Sequence, residues 1–264
     1  MTTFADFVAA PWTVVCHEPC KPSTKGRVES LLRTQLLPEF GPFDLNRLGD
    51  EDISRWFDCY SRTAPAGANR ALDVLLQILN FAVECGKLAA NPARTIRRNP
   101  RPRKTRFLTR AEIRRLHQAL DAHRGRGSGV QQADIIRLLL LTGCRKGELI
   151  ALRWSEVHDD RLVLSDSKTG PRAVFLSAEA QAILTRQPRI GPYVFPSPTD
   201  PSANRSAELS LWRKVRRTAN IADVRLHDLR HSFASHAVMA GVPLPVVSRL
   251  LGHAQMRMTL RRCA

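Results

Sequence analysis

Apolar residues recur at helical spacing along the first third of the chain. Val28, Leu31 and Leu32 follow Ser23 or Thr24, either of which can cap a helix running through Thr34. Ile53, Trp56 and Phe57 mark a second helix between Glu51 and Tyr60, and Leu72, Leu75, Leu76, Leu79 and Val83 mark a third from Ala68 to Cys85. Gly86 closes the third helix, and Asn91-Pro92 blocks its continuation, because a residue before proline is driven out of the helical region. These stripes predict a small helical bundle.

The pattern changes beyond residue 107. Leu108-Thr109-Arg110-Ala111-Glu112-Ile113 has the form of a capping box, with Thr109 as N-cap and Glu112 three residues on. Ala133 to Leu141 is an apolar helix, and helices resume from Ala178 and again from Ser210. Between them, Arg161 to Leu164 and Arg172 to Leu176 read as short strands joined by Lys168-Thr169-Gly170-Pro171. The expected fold class is mainly α: a helical N-terminal domain over 1–96, then a mixed, mostly helical domain over 107–264 with a small antiparallel β-sheet. The boundary between them, 97–106, combines prolines with a dense run of cations, Arg97, Arg98, Arg101, Arg103, Lys104 and Arg106.

Charge adds a partner to this picture. The 264 residues hold 41 Lys and Arg against 24 Asp and Glu, a formal charge of +17 and a pI near 10.8. Solubility alone asks for much less, so a polyanion such as double-stranded DNA is the expected counterpart, with the basic run available to lie on phosphate. Met1 to Trp12 lacks the pattern of a signal peptide, and the longest aliphatic run, Leu138 to Leu141, is far too short to span a bilayer. A soluble, cytoplasmic, nucleoid-associated protein without membrane contact is expected. The six cysteines are scattered, which favours reduced thiols. Cys16-His17-Glu18-Pro19-Cys20 has no second ligand pair at usable spacing, so no metal site is expected.

Three short stretches carry candidate chemistry. Arg145 and Glu148, in Thr142-Gly143-Cys144-Arg145-Lys146-Gly147-Glu148, stand at i,i+3 on the start of a helix, where the carboxylate can brace the guanidinium. His227 and Arg230, in His227-Asp228-Leu229-Arg230, share one helix face, framed by apolar Leu226, Leu229, Phe233 and Ala234. His253 follows Gly252, a helix terminator that turns the imidazole outward. Two guanidiniums can hold the spreading charge of a transferring phosphoryl group by forked hydrogen bonds without a metal. Plainer roles exist for each fragment alone: a surface ion pair for Arg145 and Glu148, or packed core histidines at His231 and His236.

Together these motifs resemble the catalytic domain of the tyrosine-type site-specific recombinases, the phage integrase family. The resemblance spans nearly all of 107–264 and implies that the N-terminal helices form a core-binding (SAM-like) domain that helps encircle duplex DNA. It makes Arg145, Lys168, His227, Arg230 and His253 catalytic and Glu148 supporting, with Lys168 protonating the departing 5′ oxygen as general acid. In that family a tyrosine forms a 3′-phosphotyrosyl intermediate, which conserves bond energy and needs no cofactor. Nine residues beyond His253, where the nucleophile belongs, this chain has Arg262. Its two tyrosines, Tyr60 and Tyr193, lie elsewhere, and Cys263 is turned about 100° away along a helix.

The resemblance therefore implies a recombinase or integrase fold that is cleavage-deficient as written, in a catalytic domain lacking its C-terminal end. A non-catalytic DNA-binding relative that occupies or regulates recombination sites is the alternative, and a type IB topoisomerase fits the two-domain layout less well. A homo-oligomer assembled on paired DNA sites is the implied working form.

Overall fold

A computed structural model describes residues 2–20, 22–101, 106–123, 128–165 and 170–252. The chain divides into two compact units, Met1–Arg103 and Lys104–Ala264.

In the first unit the helical bundle begins earlier than the sequence pattern indicated. Thr3 Oγ1 accepts the Asp6 amide at 3.1 Å and the Asp6 carboxylate accepts the Thr3 amide in return, capping α1 (Phe4–Phe7). A π-helical stretch, Val8–His17, prolongs it, and together they bury Phe4, Phe7, Val8 and Trp12. The second helix is likewise longer than expected: α2 (Pro22–Leu31) runs through a π-helical turn, Leu32–Leu36, into α3 (Leu37–Phe40). Then come α4 (Asp50–Thr63) and the central α5 (Pro65–Glu84), whose Leu72, Leu75, Ile78 and Leu79 are wholly buried. Gly86 adopts φ +68° and ends α5, its amide donating to the Val83 carbonyl at 2.9 Å.

The basic stretch after α5 is not a free strap throughout. Asn69, buried on α5, exchanges hydrogen bonds with the backbone of Asn99: the Asn99 amide donates to Oδ1 at 2.8 Å, and Nδ2 donates to the Asn99 carbonyl at 2.9 Å. A buried amide with a partner for both its donor and acceptor is satisfied, so this pair fixes residues around 99 along α5.

In the second unit α6 (Arg110–Ala122) opens with the expected capping box, the Glu112 amide reaching Thr109 Oγ1 at 3.2 Å. Next come α7 (Ser128–Thr142), buried on nearly every face from Gln132 to Leu140, and the short α8 (Lys146–Ile150). Strands β1 (Arg161–Leu164) and β2 (Arg172–Phe175) pair antiparallel, Leu162 opposite Val174 and Leu164 opposite Arg172. Leu162 and Val174 point inward, as the alternation of strand side chains requires. The unit continues with α9 (Ala178–Thr185), α10 (Ser210–Thr218), α11 (Asp228–Met239) and α12 (Leu244–Leu251). α11 packs on α7 and α12, so the core helix, the β-hairpin and the last two helices converge on one end of α7.

Candidate active site

The site begins at the turn after α7. Thr142 Oγ1 donates to the Leu138 carbonyl at 2.6 Å and accepts the Cys144 amide at 3.2 Å, while Gly143 takes φ +63°. A Cβ at Gly143 would lie 2.5 Å from Phe233 Cδ1, so the close approach of α11 and the left-handed backbone both demand glycine. The turn leaves Arg145 as the N-cap residue of α8 and Glu148 at its third position.

Glu148 serves two arginines. Its Oε2 accepts the Arg145 amide at 2.8 Å and its Oε1 accepts Arg145 Nη1 at 2.7 Å, as the i,i+3 spacing predicted. The same Oε2 accepts Arg172 Nη2 from β2 at 2.7 Å. Burial opposes the charged carboxylate, but the Arg145 amide, the Arg172 charge and the two guanidinium hydrogen bonds outweigh it, holding the carboxyl below its usual range.

Arg230 stands at the third position of α11 and is 3% exposed. Its Nη1 donates to the Gly143 carbonyl at 2.6 Å and its Nη2 to the Leu251 carbonyl. Burial, together with the neighbouring charges of Arg145 and Arg172, pushes its pKa down to about 10, which leaves it charged at neutral pH. The start of α11 is locked by Asp228, whose buried carboxylate accepts Arg225 Nη2 at 2.6 Å, Nε at 3.0 Å and the Arg225 amide at 2.8 Å.

The last turn of α12 gathers the three arginines. Gly252 ends the helix at φ +59°, as expected for a left-handed cap. The three successive carbonyls there each receive one guanidinium: Leu250 from Arg172 Nη1, Leu251 from Arg230 Nη2, and Gly252 from Arg145 Nη2 at 3.4 Å. Carbonyls at a helix C-terminus lack partners within the helix and carry the negative end of its dipole, which accounts for the attraction.

His227 is the N-cap residue of α11, one turn before Arg230, and is exposed. Its ring stands edge-on to that of His231, centroids 5.0 Å apart. His231 is buried, and His236 lies 2.7 Å through Nε2 from the Leu108 carbonyl, in keeping with packed core histidines. Beside Arg145 and Glu148 opens a cleft of about 470 Å³ whose walls include Arg153, Ser165 and Tyr193. Arg153 lies 4.9 Å over the Tyr193 ring and donates to its hydroxyl at 3.2 Å.

The structure thus brings Arg145, Glu148 and Arg230 together and sets His227 at the head of the helix bearing Arg230. Lys168, His253 and Arg262 lie outside the described residues, as do Arg103 and Lys104. Of the other basic positions, Arg97 is exposed, Arg98 forks onto Asp73 through Nε at 3.0 Å and Nη2 at 2.8 Å, and Arg101 lies 3.7 Å from the same carboxylate. Arg106 belongs to the second unit, where Glu112 accepts Nη2 at 2.6 Å and Asp223 accepts Nε at 2.7 Å. Its guanidinium is held within the protein.

Arg172 was not among the residues singled out from the sequence. The available signal was parity: it alternates in step with Val174, which places an arginine on the inward face of a strand. With it, three guanidiniums gather at the end of α12, two of them sharing the Glu148 carboxylate, and the side of the cluster that carries Arg145 and Arg230 suits an anionic, oxygen-rich ligand.

Comparison with known proteins agrees with this geometry. Residues 106–262 match the model of the phage integrase family. Tyrosine recombinase XerC of Erythrobacter litoralis is 30% identical over 227 residues, covering 78% of this chain and 71% of the relative. Tyrosine recombinase XerD of Ralstonia nicotianae is 30% identical over 236 residues, covering 81% and 74%. The fold is that of a lambda integrase dimer (75–356) bound to a COC′ core site, with a TM-score of 0.81 at 19% identity, covering 100% of this chain and 96% of the other. Among the described residues no helix is long and apolar enough to cross a membrane. With more than half its length matched to the family model and its arginines, carboxylate and helix-capping glycine in one cluster, the chain belongs to the phage integrase family of tyrosine recombinases.

Proposed function

We propose that the protein binds duplex DNA and presents a metal-free phosphodiester site of the strand-breaking and rejoining type, and that with Arg262 at the nucleophile position it does not cleave. The convergence of Arg145 and Arg230 on adjacent carbonyls carries this reading. A non-bridging phosphate oxygen at that point would be met by donors already fixed in place, the arrangement that stabilises a pentacoordinate phosphorane most. His227 at the head of α11, and His253, the residue after Gly252 in sequence, would add imidazole donors, and Lys168 would supply a proton to the departing 5′ oxygen.

In a chain with tyrosine at 262, the phenolic hydroxyl would release its proton to solvent water and its oxygen would bond to phosphorus as the bond to the 5′ oxygen breaks. That oxygen would take its proton from Lys168, and a 5′ hydroxyl of the same or another strand would later reverse the step. Most of the positive charge lies in the second unit, and Arg97, Arg98, Arg101 and Arg103 at the end of the first, with Lys104 at the start of the second, would contribute phosphate contacts. The lambda integrase structures, a dimer on a core site and a tetramer on a Holliday junction, support a working form in which copies assemble on paired sites. The second reading, a relative that occupies such sites without cutting, is favoured by Arg262 itself.

The experiment is Arg262→Tyr in the full chain, tested for covalent capture of nicked duplexes with randomised arms. Capture by this variant and none by the parent is expected, and Arg145→Ala added to it should abolish the gain. An adduct on the parent chain would refute the cleavage-deficient assignment, and no adduct with Arg262→Tyr would leave the non-cutting binder. Duplex affinity should fall steeply with salt in either case, since each phosphate neutralised releases counterions.

A further inference from the structure

We propose that Arg172 is a positioning residue of this site: it holds Glu148, and through it Arg145, while fixing the C-terminal end of α12. The inference rests on the phosphodiester reading given above and adds a residue to it. The Arg172 side chain is 6% exposed and its fork is divided among three elements. Nη2 reaches Glu148 Oε2 at 2.7 Å and Cys144 Sγ at 3.8 Å, and Nη1 reaches the Leu250 carbonyl. One strand residue thereby ties β2 to α8, to the turn before α8 and to the end of α12.

Stability alone gives a weak reason for this arrangement. Burying an ion pair at an inward strand position is often no better than an apolar side chain of similar volume. Orientation gives a stronger one. Glu148 has two oxygens, and Arg172 takes one of them, so the carboxylate plane is fixed and Oε1 is left aimed at Arg145 Nη1. Lysine cannot reproduce this, because an ammonium has no planar fork with which to span a carboxylate and a carbonyl. Arg172 also differs from Arg145 in access: 6% against 21% exposure of the side chain keeps it behind the site while Arg145 faces it.

The test uses Arg172→Lys and Arg172→Met in the full chain, each with and without Arg262→Tyr. With tyrosine at 262, the rate of covalent capture of the nicked duplexes should fall by about 100-fold in both variants, the scale of a misplaced catalytic group. Duplex Kd should change by no more than about threefold. In the chain without the tyrosine, arginine side-chain NMR should show slow rotation about the Arg145 Nε–Cζ bond, becoming fast in Arg172→Lys.

Unchanged capture, or an Arg145 equally immobile in both variants, would overturn the proposal. So would a parallel loss of capture and duplex affinity, which would make Arg172 a direct phosphate contact. If Arg262→Tyr itself gives no adduct, the phosphodiester reading fails and the Arg145 rotation alone decides the brace. Arg172→Lys keeps the positive charge should Arg172→Met fail to fold.

Discussion

Ser232 holds Leu108: its hydroxyl accepts the Leu108 amide at 2.9 Å and donates to the Asp228 carbonyl at 2.8 Å, so α11 anchors the segment that leads into α6. Both partners are buried, and no water is needed to satisfy the amide. Ser232→Ala leaves that N–H unpaired and should cost about 1–3 kcal/mol in urea denaturation. A loss below about 0.5 kcal/mol would be ordinary for a surface change and would show that the contact is not formed in solution.

Glu148→Gln should destabilise the second unit by about 3 kcal/mol, because Arg172, 6% exposed, loses the only negative charge among its described contacts. The pH signature has a definite sign. The folded carboxyl lies below its ordinary value, so its contribution is complete above the unfolded pKa of about 4.3 and is lost as pH falls through the lower folded value. In Glu148→Gln that part of the acid limb should vanish from a stability-against-pH curve, and an unchanged limb would contradict the pairing.

The Arg106 and Glu112 pair makes a second acid-sensitive link. Hydrogen bonding to Arg106, against some burial and aided by Thr109, holds Glu112 at about 2, compared with an ordinary value of 4.5. Its stabilisation is therefore present above pH 4.5 and disappears as pH falls towards 2. Arg106→Gln should flatten this region while leaving duplex binding nearly intact, because the guanidinium is committed to Glu112 and Asp223. A large drop in duplex affinity would place Arg106 on DNA, as its membership of the basic run suggested.

Gly143→Ala should cost well over 1 kcal/mol and also impair the site. Left-handed backbone disfavours alanine by about 1 kcal/mol. A Cβ 2.5 Å from Phe233 Cδ1 adds a clash. Because the Gly143 carbonyl accepts Arg230 Nη1, any shift of the turn moves the arginine. Thermal denaturation together with duplex binding would check both effects.

Much of this was legible in the sequence where the signal is local. The Thr109 and Glu112 capping box, the Arg145 and Glu148 spacing, the two short strands and the Gly252 terminator all depend on residues a few positions apart. Arg172 was missed because its partners, Glu148 and Leu250, lie 24 and 78 residues away, and only strand parity hinted that it faces inward. The helix built on Phe4, Phe7, Val8 and Trp12 carries apolar spacing of three and four, yet the same residues were read only for targeting. Its π-helical continuation has no simple periodic signature.

The three carbonyls at the end of α12 have a consequence for how the protein matures. Arg145 meets Gly252 across 107 residues of chain, Arg172 meets Leu250 across 78, and Arg230 meets Leu251 across 21. Contacts of such sequence separation cost loop-closure entropy and form late. A nascent chain emerging from the ribosome can therefore pair Arg145 and Arg172 with Glu148 early, but the turn that gathers all three arginines arrives only with α12, and fraying of that one turn would remove one contact from each of them at once.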